Sequence, residues 1–78
     1  MIVNEYYDTS DLCLATTLQM RGHELVDMNK ADKRRVVFKF QNSKLLQKDI
    51  DDFWNRKITV DALTFFDNMK NLKNRIYG

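Results

Sequence analysis

An α+β fold is predicted for this chain: a small antiparallel sheet, built on a β-hairpin and open to a third N-terminal strand, with one helix before the hairpin and two after it. Three observations predict it. Lys33 to Phe40, KRRVVFKF, alternates so that Val36, Phe38 and Phe40 share one face of an extended strand while Arg35, Val37 and Lys39 share the other. Ala62, Phe65, Met69, Leu72 and Ile76 recur every three or four residues, the clearest helical period in the chain. Length supplies the third: independent cores rarely form below about 40 residues, so 78 residues are read as a single domain, 1–78, with one core.

Ile2 to Tyr7 mixes β-branched and aromatic residues and supports either an edge strand or an irregular lead-in. Thr9, Ser10 and Asp11 signal a helix start, because a side-chain oxygen at the cap accepts a hydrogen bond from an unpaired first-turn N–H; the helix is predicted over Ser10 to Arg21. Leu14, Ala15 and Leu18, with Leu12 or Cys13 a turn earlier, make a narrow apolar stripe on it, and Gly22 stands where a left-handed residue ends a helix. His23 to Met28 reads as the first hairpin strand and Asn29 to Asp32 as the connection. The register stays open, since Leu25 and Val26 are adjacent and only one can share the face of Phe38 and Phe40.

Asn42 or Ser43 caps a second helix over Lys44 to Arg56, where Leu46, Ile50, Phe53 and Trp54 keep helical spacing. Asn55 to Thr59 breaks that pattern without proline or glycine. Thr59 or Asp61 then starts a third helix, whose Leu63 and Phe66 widen the apolar stripe toward contact with both the sheet and the second helix.

Composition narrows the function classes. With 44% hydrophobic and 31% charged residues the chain is a folded domain rather than a disordered tail. Proline is absent and the two glycines, Gly22 and Gly78, leave no phosphate-cradling loop. The first ten residues lack a secretory pattern and no apolar run spans a bilayer, so a cytoplasmic location without membrane insertion is expected; the lone Cys13 forms no internal disulfide. Net charge is only +2, but residues 28 to 48 carry +6 between acidic flanks of −4 (1 to 27) and −3 (49 to 67). Such a block matters to a partner more than the net charge, because screening confines fields to about 8 Å at physiological salt.

Several stretches taken together, Thr9-Ser10-Asp11-Leu12, Leu14-Ala15, Leu18, Gly22, Val36-Val37-Phe38-Lys39-Phe40, Asp52-Phe53-Trp54-Asn55, Val60-Asp61, Phe65-Phe66, Asn71-Leu72-Lys73 and Ile76-Tyr77, give the chain a wider likeness. Over about residues 6 to 77 it resembles a family of short uncharacterised bacterial and phage domains, known only as a domain of unknown function. The resemblance implies an intact standalone domain from a bacterial or mobile-element setting, and carries over no activity, cofactor or catalytic residue.

Read for chemistry, the residues offer little to an enzyme and no cofactor is expected. His23, the only histidine, is placed to cap a helix end or lie at the surface. Cys13, read as packed or half-buried, is ten residues from it across a helix, a poor match for nucleophile and base. One Cys and one His cannot supply a four-ligand zinc site, and Asp49, Asp51 and Asp52 read as a solvated acidic face rather than a cation site. Binding is the function class that remains. One candidate surface is the basic hairpin, where Lys30, Lys33, Arg34, Arg35 and Lys39 could track phosphates or simply guard an exposed sheet edge. The other is the aromatic set Trp54, Phe65, Phe66 and Met69, which could seat a protein partner or a second copy, or simply pack the core. A protein-interaction or homo-oligomeric module is expected first, with nucleic-acid binding through the hairpin as the alternative.

Overall fold

The computed structural model describes residues 5–32 and 34–77. Six elements follow in order: β1 (Tyr6–Thr9), α1 (Leu12–Met20), β2 (Leu25–Asn29), β3 (Val37–Gln41), α2 (Lys44–Trp54) and α3 (Ala62–Tyr77). The strands form one antiparallel sheet in the order β1-β3-β2, so an N-terminal strand does join the hairpin, over Tyr6–Thr9, and β3 becomes the centre of the sheet; Ile2 to Asn4 of the predicted stretch lie outside the described residues. The predicted α+β architecture is the one observed.

Alternation along β3 sets the two faces of the sheet. Val36, Phe38 and Phe40 are buried, and Tyr7 on β1 packs against the same core from the neighbouring strand. The register question between Leu25 and Val26 resolves through a bulge: Leu25 lies opposite Phe40, Asp27 opposite Lys39, and the irregularity falls between Leu25 and Asp27. Val26 is the extra residue and turns outward, so Leu25 and Met28, three apart, both reach the core. Strand pairing in β3 begins at Val37, leaving Lys30 to Val36 as a longer connection than the four residues predicted.

Helix α1 is the element that both other helices pack on, and α2 and α3 make little contact with each other. Its face is broader than the narrow stripe predicted, because Leu14, Ala15, Thr16, Thr17 and Leu18 are all buried. Two polar residues tolerate that position because the Thr16 hydroxyl donates to the Leu12 carbonyl at 2.8 Å and the Thr17 hydroxyl to the Cys13 carbonyl at 2.9 Å. Cys13 itself is exposed, contrary to its sequence reading, since it points away from this face. Together with Leu46, Ile50, Leu72 and Ile76, the inward residues of α1 and β3 form one apolar cluster.

The caps account for the boundaries. Asp11 accepts from the Leu14 N–H, Ser43 from the Leu46 N–H and Asp61 from both the N–H and the hydroxyl of Thr64, which settles the open choices at the starts of α2 and α3. At the end of α1, Gly22 takes φ 91° while its N–H donates to the Gln19 carbonyl and the His23 N–H to the Leu18 carbonyl. Helix α2 ends the same way around Arg56 at φ 60°, with the Arg56 N–H on the Phe53 carbonyl and the Lys57 N–H on the Asp52 carbonyl. This closure stops the helix at Trp54, before the predicted Arg56.

Candidate functional site

The basic hairpin is dispersed by the fold. Lys30 reaches across to the end of α3, where its Nζ donates to the Arg75 carbonyl at 3.1 Å and satisfies one of the orphan acceptors of the last turn. Lys33 lies outside the described residues. Arg34 stands in solvent with its side chain 93% exposed, and its nearest carboxylate is Asp32 at 3.6 Å. Arg35 lies beside it on the rim of a cleft of about 180 Å³ floored by Val36, Phe38 and Ile76. Lys39 is elsewhere, on the open face of the sheet: it is paired with Asp8 on one side and Asp27 on the other, with its ammonium 5.3 Å from the centre of the Tyr6 ring. Among the described residues of the predicted set, only Arg34 and Arg35 therefore remain together as exposed cations.

The acidic reading of α2 needs correction. Asp49 is buried, not solvated, because two residues that follow α1 converge on it: Arg21 Nη2 donates at 3.0 Å to one carboxylate oxygen and His23 Nε2 lies 2.6 Å from the other. An ionised carboxylate only accepts, so His23 donates from Nε2. His23 is correspondingly inside, with its side chain 12% exposed, rather than capping or at the surface. Burial pushes the Asp49 carboxyl upward, and the hydrogen bonds from His23 and Arg21, with their charges, more than offset that and hold it below the ordinary value of 3.8. Lys48 bridges Asp52 at 3.1 Å on the neighbouring surface.

A histidine oriented by a buried aspartate is also how many catalytic bases are held. Here the adjoining cleft of about 430 Å³ is lined by Met20, Arg21, His23, Leu45, Lys48 and Asp49, none of them a hydroxyl or thiol. Cys13 sits at the far end of α1, about 12 Å away along a helix that rises about 1.5 Å per residue. The arrangement ties α1 to α2. Among the described residues no group of three or more His, Cys, Asp or Glu is disposed to hold a metal ion, and no helix is long and apolar enough to cross a membrane.

The aromatic set divides differently. Helix α3 carries two stripes, of which the inner one, Phe65, Met69, Leu72 and Ile76, follows the predicted period but is fully buried only at Leu72 and Ile76. Phe65 enters a cleft of about 280 Å³ with Thr17, Phe53, Arg56, Ile58 and Val60, where the end of α2 meets the approach to α3. Phe66 and Met69, with Lys70 and Lys73, line a separate dimple of about 90 Å³ on the outer side. Trp54 joins neither hollow: it is 59% exposed and stands edge-on to Phe53, ring centres 4.9 Å apart. Leu63, read only as widening the stripe, is 76% exposed, and Phe66 59%. The expected contact of α3 with α2 is replaced by packing on α1, which covers the second half of α3 and leaves the first half of its apolar surface open.

No curated protein and no solved structure matches the chain. A family model described as a domain of unknown function (DUF5659) matches residues 4–78, which includes every element of the sheet and all three helices. Its span agrees with the stretch over which the sequence resembled such a family, and the chain belongs to the DUF5659 family.

Proposed function

We propose that this domain is a non-catalytic, cytoplasmic protein-binding module of a bacterial or phage system that offers the first half of α3, with the end of α2, to another protein. The observation that carries the reading is the exposure of Leu63 and Phe66 on a sixteen-residue helix whose fully buried residues, Leu72 and Ile76, both lie in its second half. Burying a Leu or Phe side chain stabilises by about 1.5–3 kcal/mol, and this fold leaves that gain unrealised at both positions. Trp54 adds a third large exposed side chain at the end of α2, next in the chain to Phe53, which lines the cleft that holds Phe65. The bacterial or phage setting rests on the resemblance of the residue pattern alone.

The test is site-specific photo-crosslinking in the source cell, with the reactive group at position 66 and, as control, at the exposed Gln41 on the open side of the sheet. A discrete protein adduct from position 66 and none from position 41 supports the module; no adduct, or the same adducts from both positions, removes it. Among the described residues the alternative, nucleic-acid binding, is favoured by Arg34 and Arg35, since Lys39 stands opposite Asp8 and Asp27 in the sheet and Lys30 is engaged with α3. It requires retention on single- or double-stranded nucleic acid at low salt that falls steeply as salt rises and is lost in Arg34→Glu/Arg35→Glu. No retention at low salt ends it.

A further inference from the structure

We propose that the outer stripe of α3 receives an acidic amphipathic helix of another protein, and not a second copy of this chain. The inference rests on the protein-binding reading and names the partner's chemistry. Residues advance about 100° each around a helix, so Leu63, Phe66, Lys70, Lys73 and Tyr77 fall within a strip about 80° wide on the flank of the helix, centred about 120° around from Leu72 and Ile76 and bordered by Met69. Their three-four-three-four spacing is that of a seam between two helices crossing at a shallow angle. The strip runs about 21 Å, the length of four turns.

Its chemistry is ordered along that length: apolar at Leu63 and Phe66, cationic at Lys70 and Lys73, aromatic at Tyr77. The dimple between the two lysines is walled by Phe66 and Met69, so an aliphatic side chain can enter while the lysine stems flank it and their ammonium heads meet carboxylates on either side. Asp67, at the Leu63 edge, is the one acid of the helix against Lys70, Lys73 and Arg75, and the Lys30 ammonium adds a further cation at its end. The helix dipole accounts for Arg75 and Lys30, which lie at the last turn, but its effect has faded by Lys70 and Lys73. Neither of those lysines is in an ion pair among the described residues.

The same cations select against self-association. An antiparallel pairing of two copies that uses the whole strip sets Lys70 against Lys70 and Lys73 against Phe66, and a parallel one sets each lysine against its own copy, so like charges meet at the centre either way. A helix with apolar residues at the facing positions and Glu or Asp beside them meets the strip without that conflict.

The experiment uses the full chain, isotopically labelled, and two designed helical peptides with identical apolar seams, one flanked by Glu and the other by Lys, followed by NMR titration at low and high salt. The Glu peptide is expected to shift amides of residues 63–77, to bind at least tenfold more tightly than the Lys peptide, and to lose at least tenfold in affinity to Lys70→Glu/Lys73→Glu or to Phe66→Ala. Equal binding of the two peptides, binding of neither, or shifts outside α3 would overturn the proposal, as would light scattering that shows a dimer abolished by Phe66→Asp. A protein adduct from position 66 alongside peptide failure sinks the acidic-helix assignment and leaves the protein-binding reading standing; loss of both sinks both.

Discussion

Asp49 shows how one buried carboxylate can hold two helices together. With its pKa below the ordinary 3.8, the folded state binds a proton at this site less readily than the unfolded chain. The stability it contributes is therefore complete above about pH 3.8 and is lost as pH falls through the lowered folded value. Asp49→Asn keeps the shape, removes the charge, and is expected to cost about 1.5–3 kcal/mol near neutrality, the range for hydrogen bonds to charged groups. Urea titrations from pH 7 to pH 2 should show the gap between the two proteins narrowing as the acid limit is approached; a constant gap would mean that the carboxylate is not the source. The sequence did not disclose this site, because its partners are 26 and 28 residues away and nothing in local spacing separates a buried aspartate from the solvated Asp51 next to it but one. Thr16 and Thr17 were hidden for a related reason: a threonine reads as polar until its hydroxyl is seen to bond within its own helix.

Among the elements, the two matching helix ends make a paired test. Gly22 and Arg56 occupy equivalent left-handed positions with the same two hydrogen bonds, one with the residue that geometry favours and one without. A Cβ at position 22 would meet nothing within 4 Å, so Gly22→Ala isolates the backbone term and should cost about 1–2 kcal/mol in thermal unfolding. Arg56→Gly should stabilise by up to about 1 kcal/mol, less than the mirror value because glycine also loosens the unfolded chain. These ends differ in legibility for the same reason. Gly22 marks its turn in the sequence, whereas an arginine in a left-handed conformation leaves no trace, and the predicted helix ran two residues too far. The start of α3 was legible to within the Thr59 or Asp61 choice, since a side-chain cap followed by a three-four period is a local signal.

Across the whole molecule, the extents of 39 × 30 × 18 Å describe a thin two-layer body. Its radius of gyration, 12.5 Å, exceeds the roughly 11.5 Å expected for a compact chain of this length, in keeping with a third helix that half overhangs the core. So small a core leaves little reserve. Total stabilities run at about 0.05–0.15 kcal/mol per residue, or about 4–12 kcal/mol here, and truncating a buried Phe costs about 3–5 kcal/mol. Phe40→Ala is therefore expected to remove a quarter or more of the stability in a urea unfolding curve, while Phe66→Ala, on the open side of α3, should move the midpoint little. Equal losses at the two positions would show that the overhanging half of α3 is covered after all. The fold class was legible because alternation in β3 and periodicity in α3 are local. The candidate surface was legible only as a set of residue types, since which aromatics the core leaves uncovered depends on where α3 lands on α1.

The bulge at Val26 carries a consequence for how this chain can vary in length. Excising one residue from a strand ordinarily throws everything beyond it to the wrong side. Here the loss of Val26 would leave Leu25, Asp27 and Met28 opposite Phe40, Lys39 and Phe38, the neighbours they already have, in an uninterrupted ladder. A variant shortened at that codon should fold with its inner residues in place, and a family of such domains can gain or shed this position without rebuilding the interior.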